Sequence, residues 1–303
     1  MTHAKNPTSP VLAILVCTLG IFLLSAMDAA VKGLVVLIGA YNTLLWRSVF
    51  ATAAAGAAWA AASDRRPNPG ALRLHVLRGS VVTFVALTFF FGLGRLPLAE
   101  AIALSFIAPL VALFLAALLL GERIGRAAIW ASVVGMVGVV VIMLGKFSGS
   151  GYAPDAVLGM ASVIVSAVLY AYNLILARRQ AQVAKPLEIV FVQNLVVGVT
   201  LGLAAPWLGA ALPQALWLPL AGVTALALAG HGLMSWSYAR AEAQYLIPTE
   251  YSAFVWAIVL GWVFFREPVA WTTFAGAALI VGGCLIAARA RPKLAEPVEA
   301  VAV

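Results

Sequence analysis

Long apolar runs broken by short polar interruptions dominate the chain, and this pattern predicts helices rather than strands. The runs 10–30, 41–62 and 98–120 are each near the roughly 20 residues that cross a bilayer as a helix. Breaks at charge, glycine and proline place helices near 10–32, 40–62, 73–93, 98–120, 127–145, 156–178, 187–206, 216–238, 244–265 and 270–289. The segment DRRPNPGA (64–71) reads as a polar turn, and KFSGSGYAPD (146–155) as a glycine-rich joint between two halves. The expected fold is therefore all-α and integral to a membrane. It has ten transmembrane helices, a first five-helix unit over 10–145, a second over 156–289, and short cytoplasmic tails at 1–9 and 290–303.

Composition strengthens this picture. With 64% hydrophobic and 10% charged residues among 303, the chain lacks the polar surface to cover a water-soluble core. The first apolar run is too long for a cleaved leader and is expected to be retained. The net charge of +8 could suggest nucleic acid in a soluble protein, but here the basic residues flank apolar runs, where they set orientation, and no nucleic-acid partner is expected. On the ten-helix map fourteen of the 19 basic residues, from Lys5 and Arg65 to Arg291 and Lys293, fall on the side of the N-terminus. Both termini are thus expected in the cytoplasm, with the helices in a bacterial inner membrane. Cys17 and Cys284 lie singly within apolar runs and read as packing residues.

Sliding the sequence against itself by 145 positions aligns Arg95 with Arg240, Glu122 with Glu267 and Gly138 with Gly283, and sets Asp28 opposite Asn173. Charged residues are scarce here, so two charged matches at one offset outweigh many Ala or Leu coincidences. A unit of five helices is odd, so the second copy enters the membrane from the opposite side. Inverted halves can exchange conformations around a shared site, which is alternating access.

The two units end in LGERIGRAAIWASVVGMVGVVVIMLG (120–145) and FFREPVAWTTFAGAALIVGGCLIAA (264–288), and over residues 11–289 the chain resembles the paired EamA domains of the drug/metabolite transporter superfamily. The first unit has the Gly-Glu pair of that family as Gly121 and Glu122; the second has Arg266 before Glu267. The resemblance implies a secondary transporter and, within the superfamily, is nearest to bacterial exporters of amino acids, aromatic ones included, and related metabolites. The alternative is a multidrug exporter of lipophilic cations.

Polar groups at membrane depth are costly, so they mark candidate pathway walls. In the eighth helix His231, Ser235 and Tyr238 share a stripe, with Trp236 beside it; in the sixth, Tyr170 and Asn173 share a face with Ser166. The alternative for the eighth-helix stripe is that its residues bond to neighbouring helices, while the sixth-helix face reads as a substrate wall. The ninth helix adds Glu250, Tyr251 and Trp256, and the second adds Trp46 and Arg47. Arg47 suits a carboxylate, while Glu250 suits an ammonium group, a coupling proton, or a structural pairing with Arg47. Asp28 and Lys32, four residues apart, read as a helix-end ion pair. Pro109 and Pro248 are candidate hinges.

No HExxH, GxSxG, nucleotide-binding loop or paired acids at helical spacing occurs, and the only histidines are His3, His75 and His231. No enzymatic activity, metal or cofactor is expected. Arg47 is the only cation placed toward the middle of a helix and not near a helix end, too few for a phosphate-bearing cargo. The expected partners are a small-molecule substrate and membrane lipid, in a monomer or weak homodimer.

The charge map predicts that tags on the two termini report the same, cytoplasmic side. An alkaline-phosphatase fusion at the C-terminus that is active in the periplasm would overturn the map.

Overall fold

The computed structural model describes residues 10–61, 69–120, 126–147, 154–238, 240, 246 and 249–289, and among these the regular structure is helical throughout. Helix α1 spans Pro10–Ala61, about 78 Å if it were straight and far more than a bilayer's hydrocarbon core of about 30 Å. It is not straight. Gly39 (φ 78°, ψ 159°) leaves helical geometry, which a residue without a Cβ does readily. The arms before and after it fold back, since Asp28 on the first feels the charge of Arg47 on the second. The break expected over residues 33–39 is thus narrowed: residues 33–38 stay helical, and the chain turns at Gly39.

Helices α2 (Leu72–Leu93), α3 (Leu98–Ser105), α4 (Ala108–Leu120) and α5 (Arg126–Phe147) follow. After the joint come α6 (Pro154–Ala181), α7 (Pro186–Leu208), α8 (Trp217–Tyr238), α9 (Ser252–Phe265) and α10 (Trp271–Arg289). The run expected as one helix over 98–120 is interrupted at Phe106 and Ile107, just ahead of Pro109. Proline has no N–H to donate, and the amides of Phe106 and Ile107 reach back only three residues, to Ala103 and Leu104 at 3.3 Å. Among the described residues five helical segments are long and apolar enough to cross a membrane, including 11–61 with its bend, and four more apolar helices are shorter.

Close approach between helices rests on facing glycines. A Cβ built on Gly138 of α5 would lie 2.5 Å from the Gly276 carbonyl oxygen of α10, and one on Gly276 would lie 2.5 Å from the Gly138 oxygen. Gly20 of α1 and Gly230 of α8 face each other in the same way, at 3.0 and 3.1 Å, and Gly92 of α2 lies against Gly159 of α6. In lipid there is no hydrophobic gain from joining two apolar helices, so such backbone approach supplies the dispersion contact that does. A large core continues between these crossings, from Leu44, Leu93 and Leu98 to Ile142, Met160 and Ile280.

The internal repeat is visible in side-chain detail. Arg95 donates from Nη1 to the Phe91 carbonyl at 3.1 Å and lies 3.4 Å from that ring's centroid; Arg240 does the same to Trp236, at 3.1 and 4.2 Å. Both pairs are related by the offset of 145. So are Phe106, in the gap between α3 and α4, and Tyr251, a turn residue that precedes α9, and their rings touch edge to face at 5.3 Å.

The α5–α10 crossing predicts that Gly138→Val destabilises the protein by about 1–3 kcal/mol, because the new methyls meet backbone that cannot retreat. Gly33→Ala, with nothing near its added Cβ, is expected to be neutral or slightly stabilising. Melting curves in detergent check both.

Candidate functional site

Polar side chains within the bundle gather in three places. The first joins the end of the leading arm of α1, the start of α3 and the turn between α9 and α10. Lys32 donates to a Glu267 carboxylate oxygen and to the Leu96 carbonyl, and the other Glu267 oxygen accepts from the Leu98 backbone N–H at 2.7 Å. Glu267 is aimed there by Arg266, whose left-handed backbone (φ 54°) ends α9 and lets the Glu267 amide return to the Gly261 carbonyl. Glu100 adds a second negative charge in the field of Lys32. Lys32 is therefore paired across 235 residues, not with Asp28 one turn away as the sequence spacing suggested.

The second cluster ties α2, α6 and α7 together. Arg78 donates to Asn173 Oδ1 at 2.9 Å and to Gln180 Oε1 at 2.5 Å. Gln180 Nε2 lies 2.6 Å from His75 Nδ1, so the amide donates and Nδ1 accepts; His75 Nε2 then donates to Glu188 at 3.2 Å. All five side chains are buried. Arginine and glutamate balance each other through a chain of hydrogen bonds, the condition under which buried polar groups stabilise rather than weaken a core.

The third cluster lies where α1, α2, α8 and α9 meet. The Arg47 guanidinium sits 5.4 Å from the Phe90 ring centroid, in the field of Asp28 and His231, and its buried Nε has no hydrogen-bond partner. His231 commits Nδ1 to the Ala227 carbonyl at 2.8 Å yet keeps an exposed face, so accessible surface reaches the neighbourhood of the arginine. Trp256 packs edge-on against Phe22 at 5.0 Å, and its buried indole N–H and the Ser252 hydroxyl one turn earlier also lack partners. Toward the end of α8, Tyr238 donates its hydroxyl to Glu250, while Thr249 donates to Cys17 Sγ at 3.2 Å.

The expected site residues thus divide. Arg47 and His231 are neighbours, and the Arg47 Nε and the Trp256 indole N–H are both buried without partners, while Tyr238 and Glu250 are bonded to each other and Tyr251 is set against Phe106. Glu250 has its hydrogen bond to Tyr238, and the acid facing Arg47 is Asp28, so the Glu250–Arg47 pairing does not form. Ser235 is half-buried on the same helix. Tyr170 packs at the margin of the main core, and Ser166 donates to the Val85 carbonyl at 2.8 Å. Asn173 belongs to the Arg78 network. Trp46 and Asn42 instead hold the chain after α7, the indole N–H on the Ala210 carbonyl at 3.1 Å and the Asn42 amide oxygen on the Ala210 N–H at 2.8 Å. Trp236 is covered by Arg240. Pro109 is the second residue of α4, beside the helix break; Pro248 lies outside the described residues.

The sequence reading missed the Arg78 network and the Lys32–Glu267 contact. His75 and Arg78 stand near a helix start, where charge is ordinarily solvated, and only their burial betrays them.

The model of the EamA-like transporter family matches twice, over residues 11–144 and 157–289. The chain is 28% identical to the pseudopaline exporter of Pseudomonas aeruginosa (strain UCBPP-PA14) over 280 residues, covering 92% of this chain and 96% of that one. It is 32% identical over 102 residues to an aromatic amino acid exporter of Ancylobacter novellus, covering 34% and 35% of the two chains. A solved crystal structure shares the fold with a TM-score of 0.59 and 24% identity, covering 91% of this chain and 98% of its own.

The Arg78 network predicts that Asn173→Ala acts on stability and not on cargo affinity. Removing the Arg78 acceptor should cost about 1–3 kcal/mol, read as a lower melting temperature with substrate affinity of the folded fraction unchanged.

Proposed function

Because the chain belongs to the EamA-like transporter family, a family of transporters and not of enzymes, we propose that it is an exporter of amino acids, aromatic ones included, and related small metabolites. In this reading ten helices form two inverted five-helix units, 10–145 and 156–289, in a bacterial inner membrane with both termini in the cytoplasm. Cargo passes by alternating access.

Arg47 is the observation that carries the proposal. A cation within a membrane helix is costly unless compensated, yet Arg47 keeps a buried Nε unpartnered. It also stands where residues of both family-matched segments meet: Asp28 and Phe90 from the first, His231 from the second. A planar guanidinium with a free donor suits a carboxylate, and the Phe90 ring beside it, with the Phe22–Trp256 pair between α1 and α9, suits an apolar side chain. The aromatic amino acid exporter among the relatives is consistent with this cargo class. The matched breaks at Phe106 and Tyr251 supply flexible points near the contact between units, with Pro109 as the hinge of the first.

Liposomes loaded with a panel of amino acids, with and without a pH gradient, test the reading. Arg47→Gln, His231→Ala and Trp256→Ala are expected to lower flux about tenfold or more while insertion stays normal; unchanged flux in all three would place the pathway elsewhere. Efflux of an ethidium-like dye with no amino-acid flux would establish the lipophilic-cation alternative. Glu250→Gln is expected to reduce transport, and loss of the pH-gradient dependence together with it would assign Glu250 to coupling.

A further inference from the structure

Asp28 is left without its expected partner. Lys32, the cation one turn along α1, is committed to Glu267 and the Leu96 carbonyl. The charge Asp28 faces is that of Arg47, yet no nitrogen of Arg47 comes within the 4.0 Å of an ion pair with it. The two groups lie at similar distances from the bend: along their helical arms Asp28 is about 16 Å and Arg47 about 12 Å from Gly39, well inside both arms. Two opposite charges so placed would gain most by closing on each other, since the desolvation of each is offset only by direct contact. They stay apart, and the buried Arg47 Nε has no hydrogen-bond partner.

An α-amino acid carries a carboxylate and an ammonium group on one carbon, a pair of charges that complements a separated acid and guanidinium. We infer that Asp28 is the ammonium-binding residue of the transport site, with Arg47 taking the carboxylate, so that the favoured cargo is an α-amino zwitterion. The inference rests on the proposed exporter function and narrows it. Empty, the two residues neutralise each other at a distance; occupied, each gains a charge-assisted contact, and no net charge is carried through the low-dielectric interior. His231, with Nδ1 used on Ala227, lies in the field of Arg47. Glu250 is the rival acid for the ammonium group, but its carboxylate is engaged by Tyr238, and Arg47 lies in the field of Asp28 and not in that of Glu250.

Binding to the purified full chain in nanodiscs separates these cases, using L-phenylalanine, 3-phenylpropionate, which lacks the amine, and phenethylamine, which lacks the carboxylate. The wild type is expected to prefer L-phenylalanine to both. Asp28→Asn should weaken L-phenylalanine about tenfold or more and leave 3-phenylpropionate unchanged or tighter, whereas Glu250→Gln should keep the wild-type preference. If Asp28→Asn folds poorly because Arg47 is left unbalanced, the double variant Asp28→Asn/Arg47→Gln removes both charges and should bind all three ligands with equal, weak affinity. The inference is overturned if Asp28→Asn, or the double variant in its place, keeps the preference for L-phenylalanine over 3-phenylpropionate, or if Glu250→Gln abolishes it. A wild type that neither binds nor moves any amino acid would overturn the exporter reading itself, a result distinct from normal transport with the Asp28 variant still discriminating.

Discussion

A charge inside lipid has to find compensation within the protein, and the arrangement of this bundle follows from how that demand is met. Lys32 and Glu267 satisfy it by direct contact, and Glu267 spends its second oxygen on the first amide of α3. Arg78 satisfies it through a relay of amides and an imidazole that ends on Glu188. In each case residues far apart in sequence fasten helices to one another, so compensation of charge and assembly of the bundle are one process. Arg47 is the exception. It is compensated by a field and not by contact, and the place where compensation is incomplete is the place where a ligand can supply it.

The glycine crossings serve the same end by another route. Gly138 with Gly276, Gly20 with Gly230 and Gly92 with Gly159 bring backbones together where no side chain could fit. These crossings join elements of the two family-matched segments: α5 with α10, α1 with α8 and α2 with α6. Helices of one unit are thus held mainly by helices of the other, and the shared interface is where the polar site residues collect.

Duplication explains both the likeness and the difference between the halves. Arg95 on Phe91 and Arg240 on Trp236 are the same helix-end device kept twice, a guanidinium that caps a carbonyl and covers a ring. Asp28 and Asn173 occupy equivalent positions and both answer an arginine, but the amide bonds Arg78 directly while the carboxylate stands off from Arg47. In one half this position fastens helices by a direct bond, and in the other it meets its arginine only at a distance. Arg266 shows a subtler constraint. It stands at the position of Gly121 in the first unit, and the chain there takes a left-handed turn that glycine enters without strain and arginine enters at a cost of about 1–2 kcal/mol. The turn sets the Glu267 carboxylate against the first amide of α3.

The sequence alone determined the helical segments, their apolar length, the 145-residue repeat and the presence of a few ionisable groups at membrane depth. These depend on local periodicity and on composition, which each stretch of chain carries with it. Partners were another matter. Spacing paired Asp28 with Lys32 because four residues make one helical turn, and put Asn173 on a substrate wall because Tyr170 shares its face. The tertiary structure gave Lys32 to Glu267 and Asn173 to Arg78, since a long side chain in lipid takes whichever opposite charge or acceptor the packing of other helices brings within reach. It also confined the interruption expected over 33–39 to Gly39 alone, since residues 33–38 continue the helix and the positive φ that turns the chain falls on a residue without a Cβ.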